Sequence, residues 1–233
     1  MKVINMQLIS FKTKFLTLAM IAIAFSATGC TTSAQEQATN AASPSVDTVG
    51  NTDHGMMNHN MNPSMEMDLG TADANYDLRF IDAMSMHHQG AVAMAKEALE
   101  KSTRPEIKQL ANNIIQAQNK ELNQMKRWRK AWYPKASLQP VAYGGANKPI
   151  MPMSAKQHGS MMMSEDLGAA DDKFDLRFLN AMIPHHEDAL VMAKDALSKS
   201  TRPEIKQLNQ SILTSQQAEI AQMKQWRKSW YNK

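Results

Sequence analysis

Apolar side chains recur at steps of three and four over two long stretches of this chain, and each stretch occurs twice. In the first, Leu78, Ile81, Met84, His88, Ala91, Ala95 and Ala98 fall on one helical face. In the second, Ile107, Leu110, Ile114, Ala117, Gln118, Glu121, Met125, Trp128 and Trp132 do the same. Between them, Thr103-Arg104-Pro105-Glu106 joins a capping-box pattern to a proline in the first helical turn, which stops one helix and starts the next. Neither stretch alternates with period two. The expected fold class is all-α.

The second occurrence follows in the other half of the chain. Asp77–Tyr133 aligns without gaps on Asp175–Tyr231, with an invariant block Lys-Ser-Thr-Arg-Pro-Glu-Ile-Lys-Gln-Leu at 101–110 and 199–208. Asp68-Leu69-Gly70 likewise returns as Asp166-Leu167-Gly168. Such a match is an internal duplication. A lone helical hairpin cannot bury its apolar face, whereas two can cover each other, so the prediction is one four-helix bundle with a pseudo-twofold axis. The stretch between the copies carries Pro134, Pro140, Gly144, Gly145, Pro149 and Pro152, and it reads as a linker crossing the end or side of the bundle.

Upstream of the first copy the pattern is different. Residues 1–29 hold Lys2, Lys12 and Lys14, no acid, and an apolar run from Phe15 to Ala27 too short for a comfortable membrane span. The run ends in Ala27-Thr28-Gly29-Cys30, which resembles a bacterial lipoprotein box. It implies cleavage before Cys30, lipidation of that thiol and, with Thr31 following, residence at the periplasmic face of an outer membrane. From Thr31 to about Pro63 the chain is Ala/Thr/Ser/Gln/Asn-rich and is expected to be a disordered tether. The expected organisation is therefore signal 1–29, tether 30–64, hairpin 65–133, linker 134–164 and hairpin 165–233.

Charge and cysteine usage narrow the functions. Lys2, Lys12 and Lys14 account for most of the excess of 26 basic over 22 acidic residues. The chain beyond the signal is nearly neutral, which gives no electrostatic case for nucleic acid. The local Lys126-Arg127-Trp128-Arg129-Lys130 run reads as a solvated helix end. Cys30 is the only cysteine, so no disulfide forms within the chain and no free thiolate serves catalysis or a metal. No phosphate-binding glycine loop, nucleophile elbow or Cys/His pair is present, so catalysis is not expected.

What stands out chemically is methionine, 20 in all, set around paired histidines. His88 and Gln118 are equally far from Thr103 on the two arms of the hairpin. Met84 and Glu121 follow about one turn further out, and Met125 one turn beyond Glu121. With equal rise on both arms these side chains meet at nearly one height, on the apolar face. Met182, His186, Gln216, Glu219 and Met223 repeat the arrangement about Thr201. Buried His, Gln and Glu must be paired or must coordinate something. Adjacent histidines point about 100° apart, so His88 and His186 are expected inside, with His87 and His185 facing the groove between hairpins. Imidazole with thioether suits copper, Cu(I) above all. Zinc would leave the methionines unexplained, and the Glu-x-x-His of carboxylate-bridged di-iron bundles is absent. The Met/His-rich flanks are expected to catch copper as exposed, flexible segments. They comprise His54, Met56, Met57, His59, Met61, Met65 and Met67 in the tether, and Met151, Met153, His158, Met161, Met162 and Met163 in the linker.

The pattern Met-x-x-His-His-x5-Met followed by Gln-x-x-Glu-x-x-x-Met resembles the domain-of-unknown-function 305 family, over residues 70–133 and 168–231. The resemblance implies a ferritin-like four-helix bundle in an exported bacterial protein and favours copper, since some members are associated with copper binding and resistance. Its matched positions are Met84, His87, His88, Met94, Gln118, Glu121 and Met125, with Met182, His185, His186, Met192, Gln216, Glu219 and Met223 as their partners. Met86 stands where the second copy has Pro184, so only the second copy is expected to carry a kink there. The reading that follows is a lipid-anchored extracytoplasmic protein that sequesters copper or hands it to a partner protein. In that reading Trp128, Trp132, Trp226 and Trp230 shield the site. Two rivals are a structural or interaction module whose His-Met core is packing, and a bundle-bound metal oxidase.

Overall fold

The computed structural model of the chain describes residues 68–233. The export signal, Cys30 and the tether positions His54, Met56, Met57, His59, Met61, Met65 and Met67 lie outside the described residues. Four long helices dominate: α1 (Tyr76–Lys101), α2 (Pro105–Trp132), α4 (Phe174–Lys199) and α5 (Pro203–Tyr231). The linker contributes strands β1 (Val141–Ala142) and β2 (Met151–Pro152) and a short helix, α3 (Ala155–Met162).

Each hairpin turns as its proline requires, with Pro105 and Pro203 at the first positions of α2 and α5. The capping box expected at Thr103 does not form. Arg104 is the N-cap and makes no side-chain cap, and Ser102 Oγ instead accepts from Arg104 N at 3.1 Å. Among the described residues a capping box forms at α3, where Ser154 and Gln157 exchange hydrogen bonds. Pro184 lies inside α4, which, like α1, runs for 26 residues without a break.

Helix α1 packs on α2, α4 and α3, and α4 packs on α5 and α1. The two central helices are antiparallel, because the loop before each is tied to the end of the other. Lys199 Nζ donates to Gly70 O at 2.8 Å, Lys101 Nζ donates to Gly168 O at 2.9 Å, and Tyr76 OH donates to Asp195 Oδ2 at 2.7 Å. Those loops explain the repeated Asp-Leu-Gly. The aspartate caps the glycine N–H, the glycine takes a left-handed φ of +78° or +76°, and the leucine carbonyl accepts from Arg79 or Arg177 at 2.6 Å. The core has two halves. One joins Phe80, Met84 and Met125 to Met192 and Ile205, and the other joins Met94, Ile107 and Ile114 to Phe178, Met182 and Met223.

The tryptophans lie near the helix ends, packed against the two half-cores. Trp128 stacks on Trp132 (5.2 Å) and Trp226 on Trp230 (5.1 Å) at the ends of α2 and α5. Arg202 lies over Trp132 at 4.1 Å and pairs with Asp77, while Arg104 lies over Trp230 at 4.4 Å and pairs with Asp175. They clamp each hairpin's turn to the other hairpin. In the basic run, Lys126, Arg127 and Lys130 are exposed, whereas Arg129 is bound by Asp82.

The linker departs most from expectation. Asp82 accepts from Val141 N at 2.9 Å as well as from Arg129, which holds β1 against α1. Met161 is buried in the core, and Met153 and Met162 pack against it, so this segment is a docked strap in place of a loose thioether loop.

Candidate metal centre

All four paired histidines are fully buried. His87 and His185, expected at the groove between the hairpins, face each other across that interface and are buried there as completely as their neighbours. Their rings stand 3.8 Å apart between centroids. Equivalent residues of a duplicated unit can touch only at the pseudo-twofold axis, so this pair marks the axis, with His88 and His186 further out on either side.

The outer pair behaves as the spacing argument requires. His88 Nε2–H donates to Glu121 Oε2 at 2.6 Å, and His186 Nε2–H donates to Glu219 Oε2 at 2.8 Å. A carboxylate can only accept, so Nε2 is the protonated nitrogen in both rings. Met84, Met125, Met182 and Met223 are fully buried at these levels, and Gln118 and Gln216 almost so. Met94 and Met192, however, cross over. Met192 of the second hairpin packs in the core half holding Met84 and Met125, and Met94 packs with Met182 and Met223. Each half-core is thus composite, which counting along one hairpin could not reveal.

The inner pair is unequal. His185 Nε2–H donates to the carbonyl of Met162 at 3.2 Å, whereas neither nitrogen of His87 meets a hydrogen-bond partner. Burial, reinforced by His185, holds the His87 imidazole well below its ordinary pKa. Burial and the neighbouring His186 push His185 down to about 3. The strap reaches His185 because of Gly90: a Cβ there would collide with the carbonyl oxygen of Met162. The second copy has Asp188 at that position and Asn180 in place of Asp82. The two residues that seat the linker on α1 are therefore missing from the matching face of α4.

The pairing leaves a residue of unmet chemistry. Nδ1 of His88, His185 and His186, both nitrogens of His87, and Oε1 of Gln118 and Gln216 are buried without a partner. An orphaned buried acceptor costs about 1–3 kcal/mol. Methionine sulfur, at most a weak acceptor, relieves none of them. Among the described residues no three His, Cys, Asp or Glu side chains converge as a site built from those donors alone. A metal held here would draw on thioether or amide donors as well. Solvent comes near on one side: Glu121 lines a cleft of about 360 Å³ between α2 and α5, with Lys120, Gln124, Gln207 and Ser211. Of the linker candidates, Met151 is exposed, and His158 and Met163 are partly buried.

Comparison with known proteins places this geometry. The Cu(II)-bound form of a protein named CopM is 40% identical, with a TM-score of 0.53 over 66% of this chain and 97% of that one. Its Cu(I)-bound form gives 37% and 0.51 over the same shares. A crystal structure of a DUF305 fragment from Deinococcus radiodurans gives 27% and 0.52, over 66% of this chain and 96% of the fragment. Uncharacterized protein L153 of Acanthamoeba polyphaga mimivirus is 47% identical over 53 residues, and the chain spans about a third of the length of that curated relative. The family model described as domain of unknown function (DUF305) matches residues 77–227, both hairpins and the strap between them: the chain belongs to the DUF305 family.

Proposed function

We propose that this protein binds copper in its bundle, as Cu(I), and serves to sequester it outside the cytoplasm or pass it to a partner. The observation that carries the reading is the set of buried imidazole nitrogens with no partner, in two copies, at the level of fully buried methionines. Packing alone leaves those lone pairs unsatisfied, whereas a soft cation satisfies imidazole and thioether together. The residues present fit such an ion. His88 with Met84 and Met125 would hold it in one half, and His186 with Met182 and Met223 in the other, with Met192 and Met94 lent across the interface. His87 and His185 on the axis and the amides of Gln118 and Gln216 are further donors within each level. The copper-bound forms of CopM, 37% and 40% identical, support the choice of metal.

Within the same proposal, Cys30 anchors the protein by lipid at the periplasmic face of an outer membrane. The tether residues His54 to Met67 and the exposed Met151 collect copper for the bundle. The protein is a binder, with no reaction of its own. Competition against a chromophoric Cu(I) chelator under anaerobic conditions tests this. Residues 31–233 should retain two tightly held ions when His54 and His59 are replaced by alanine. Loss of all tight binding in that variant would move copper out of the bundle.

A further inference from the structure

We infer that copper is taken by Nδ1 of His88 and His186, and that Glu121 and Glu219 are positioning residues that grip the far side of each ring. The inference rests on the copper reading above and assigns its contact atoms.

The argument is one of proton inventory. Each ring presents two nitrogens. The Nε2 of His88 lies 2.6 Å from Glu121 Oε2, and the Nε2 of His186 lies 2.8 Å from Glu219 Oε2. Because an ionised carboxylate offers lone pairs only, the hydrogen of each contact belongs to the imidazole. A nitrogen carrying hydrogen has no lone pair in the ring plane for a metal. The other nitrogen, Nδ1, is buried and unpartnered in both copies. A hydrogen placed there would be an unmet buried donor, so the favoured tautomer keeps Nδ1 bare. His185 obeys the same rule through a different acceptor, its Nε2–H donating to Met162 O, and its Nδ1 is bare as well. Three of the four rings therefore offer a metal the same atom.

The alternative makes the glutamate a direct ligand. That removes the acceptor from Nε2–H and strands a second buried group, since each outer ring has no other partner for that nitrogen. Holding the glutamate behind the ring does the opposite. A carboxylate accepting from one imidazole nitrogen fixes the ring's orientation and raises the basicity of the other. Nδ1 is also the nitrogen nearer the backbone. Met84 and Met182 each stand one helical turn before their histidine and therefore on the same face of the helix.

Long-range proton–nitrogen correlation spectra of the ¹⁵N-histidine-labelled chain, residues 31–233, read the tautomers directly, and Cu(I) is diamagnetic. His88→Gln and His186→Gln assign the signals. The metal-free protein should give the Nε2–H pattern for both rings, and anaerobic Cu(I) should shift Nδ1 while Nε2 keeps its proton. Glu121→Gln and Glu219→Gln should preserve the number of bound ions and weaken each site roughly 10- to 100-fold. Protonated Nδ1 in the metal-free protein, a copper-dependent loss of the Nε2 proton, or loss of one ion per glutamate replaced would each overturn the assignment and leave copper binding standing. No copper-induced shift together with no bound ion would overturn both.

Discussion

At the scale of single residues, the centre of this molecule is held against its own chemistry. His87 and His185 lie against each other at the axis, their rings tilted by 45°, with their pKa values depressed by burial, so the folded state resists protons that the unfolded chain accepts. Their contribution to stability is complete above the unfolded value of about 6.5 and falls as pH drops from there towards about 3 for His185. Denaturant unfolding of the metal-free protein should lose up to about 1.4 kcal/mol per pH unit for each of the two rings between about pH 6 and 5. A His87→Gln/His185→Gln variant should flatten that slope, and an unchanged slope would show that the rings titrate freely. Gly90 makes a second residue-level claim. Alanine is the better helix former by about 1 kcal/mol, yet its methyl group would overlap a backbone oxygen that no rotamer can move. Gly90→Ala should therefore be destabilising, by about 1–3 kcal/mol, with faster hydrogen exchange in α3. Equal or greater stability would mean the strap is not seated as described.

At the scale of elements, the two turns do more than reverse the chain. Arg104 and Arg202, each immediately before a helix-starting proline, reach the stacked tryptophans and an aspartate of the opposite hairpin. Both arginines are about two-fifths exposed, so each ion pair is worth under about 1 kcal/mol, with about 0.5–1 kcal/mol more from the aromatic face. The clamps share no residue, so Arg104→Ala and Arg202→Ala should each cost about 1–1.5 kcal/mol and add in the double variant. Thermal or denaturant melts of the three proteins measure this, and a double loss well below the sum would deny that the clamps are independent. The sequence carries the helices and their turns plainly, because apolar spacing and proline act locally. It also carries the level at which His88, Glu121 and Met125 meet, because helical rise is uniform. It does not carry the docking of α3 and β1, which depends on Gly90 and Asp82, far along the chain from the segments they receive. Nor does it assign the tryptophans, whose partners belong to the other copy.

At the scale of the whole molecule, duplication supplies symmetry and the linker breaks it. Equivalent histidines of the two copies meet at the axis, the half-cores exchange Met94 and Met192, and a single strap covers α1 through residues that α4 does not have. Periodicity describes which faces of a helix are apolar but says nothing of what covers them, which is why both histidines of each pair prove to be buried. The two His–Glu contacts nevertheless agree, at 2.6 Å and 2.8 Å, so the broken symmetry stops short of the outer sites.

That equivalence makes the bundle's claim on copper directly measurable. The decisive experiment is the thermal midpoint of residues 31–233, which lack the Cys30 thiol, with and without anaerobic Cu(I), beside His88→Ala/His186→Ala. At one hundred times Kd a bound ion adds about 2.7 kcal/mol, a rise of roughly 5–10 °C for a domain of this size. The account predicts that rise in the wild type and its loss in the double variant. An unmoved midpoint, or an equal rise in both proteins, would contradict it.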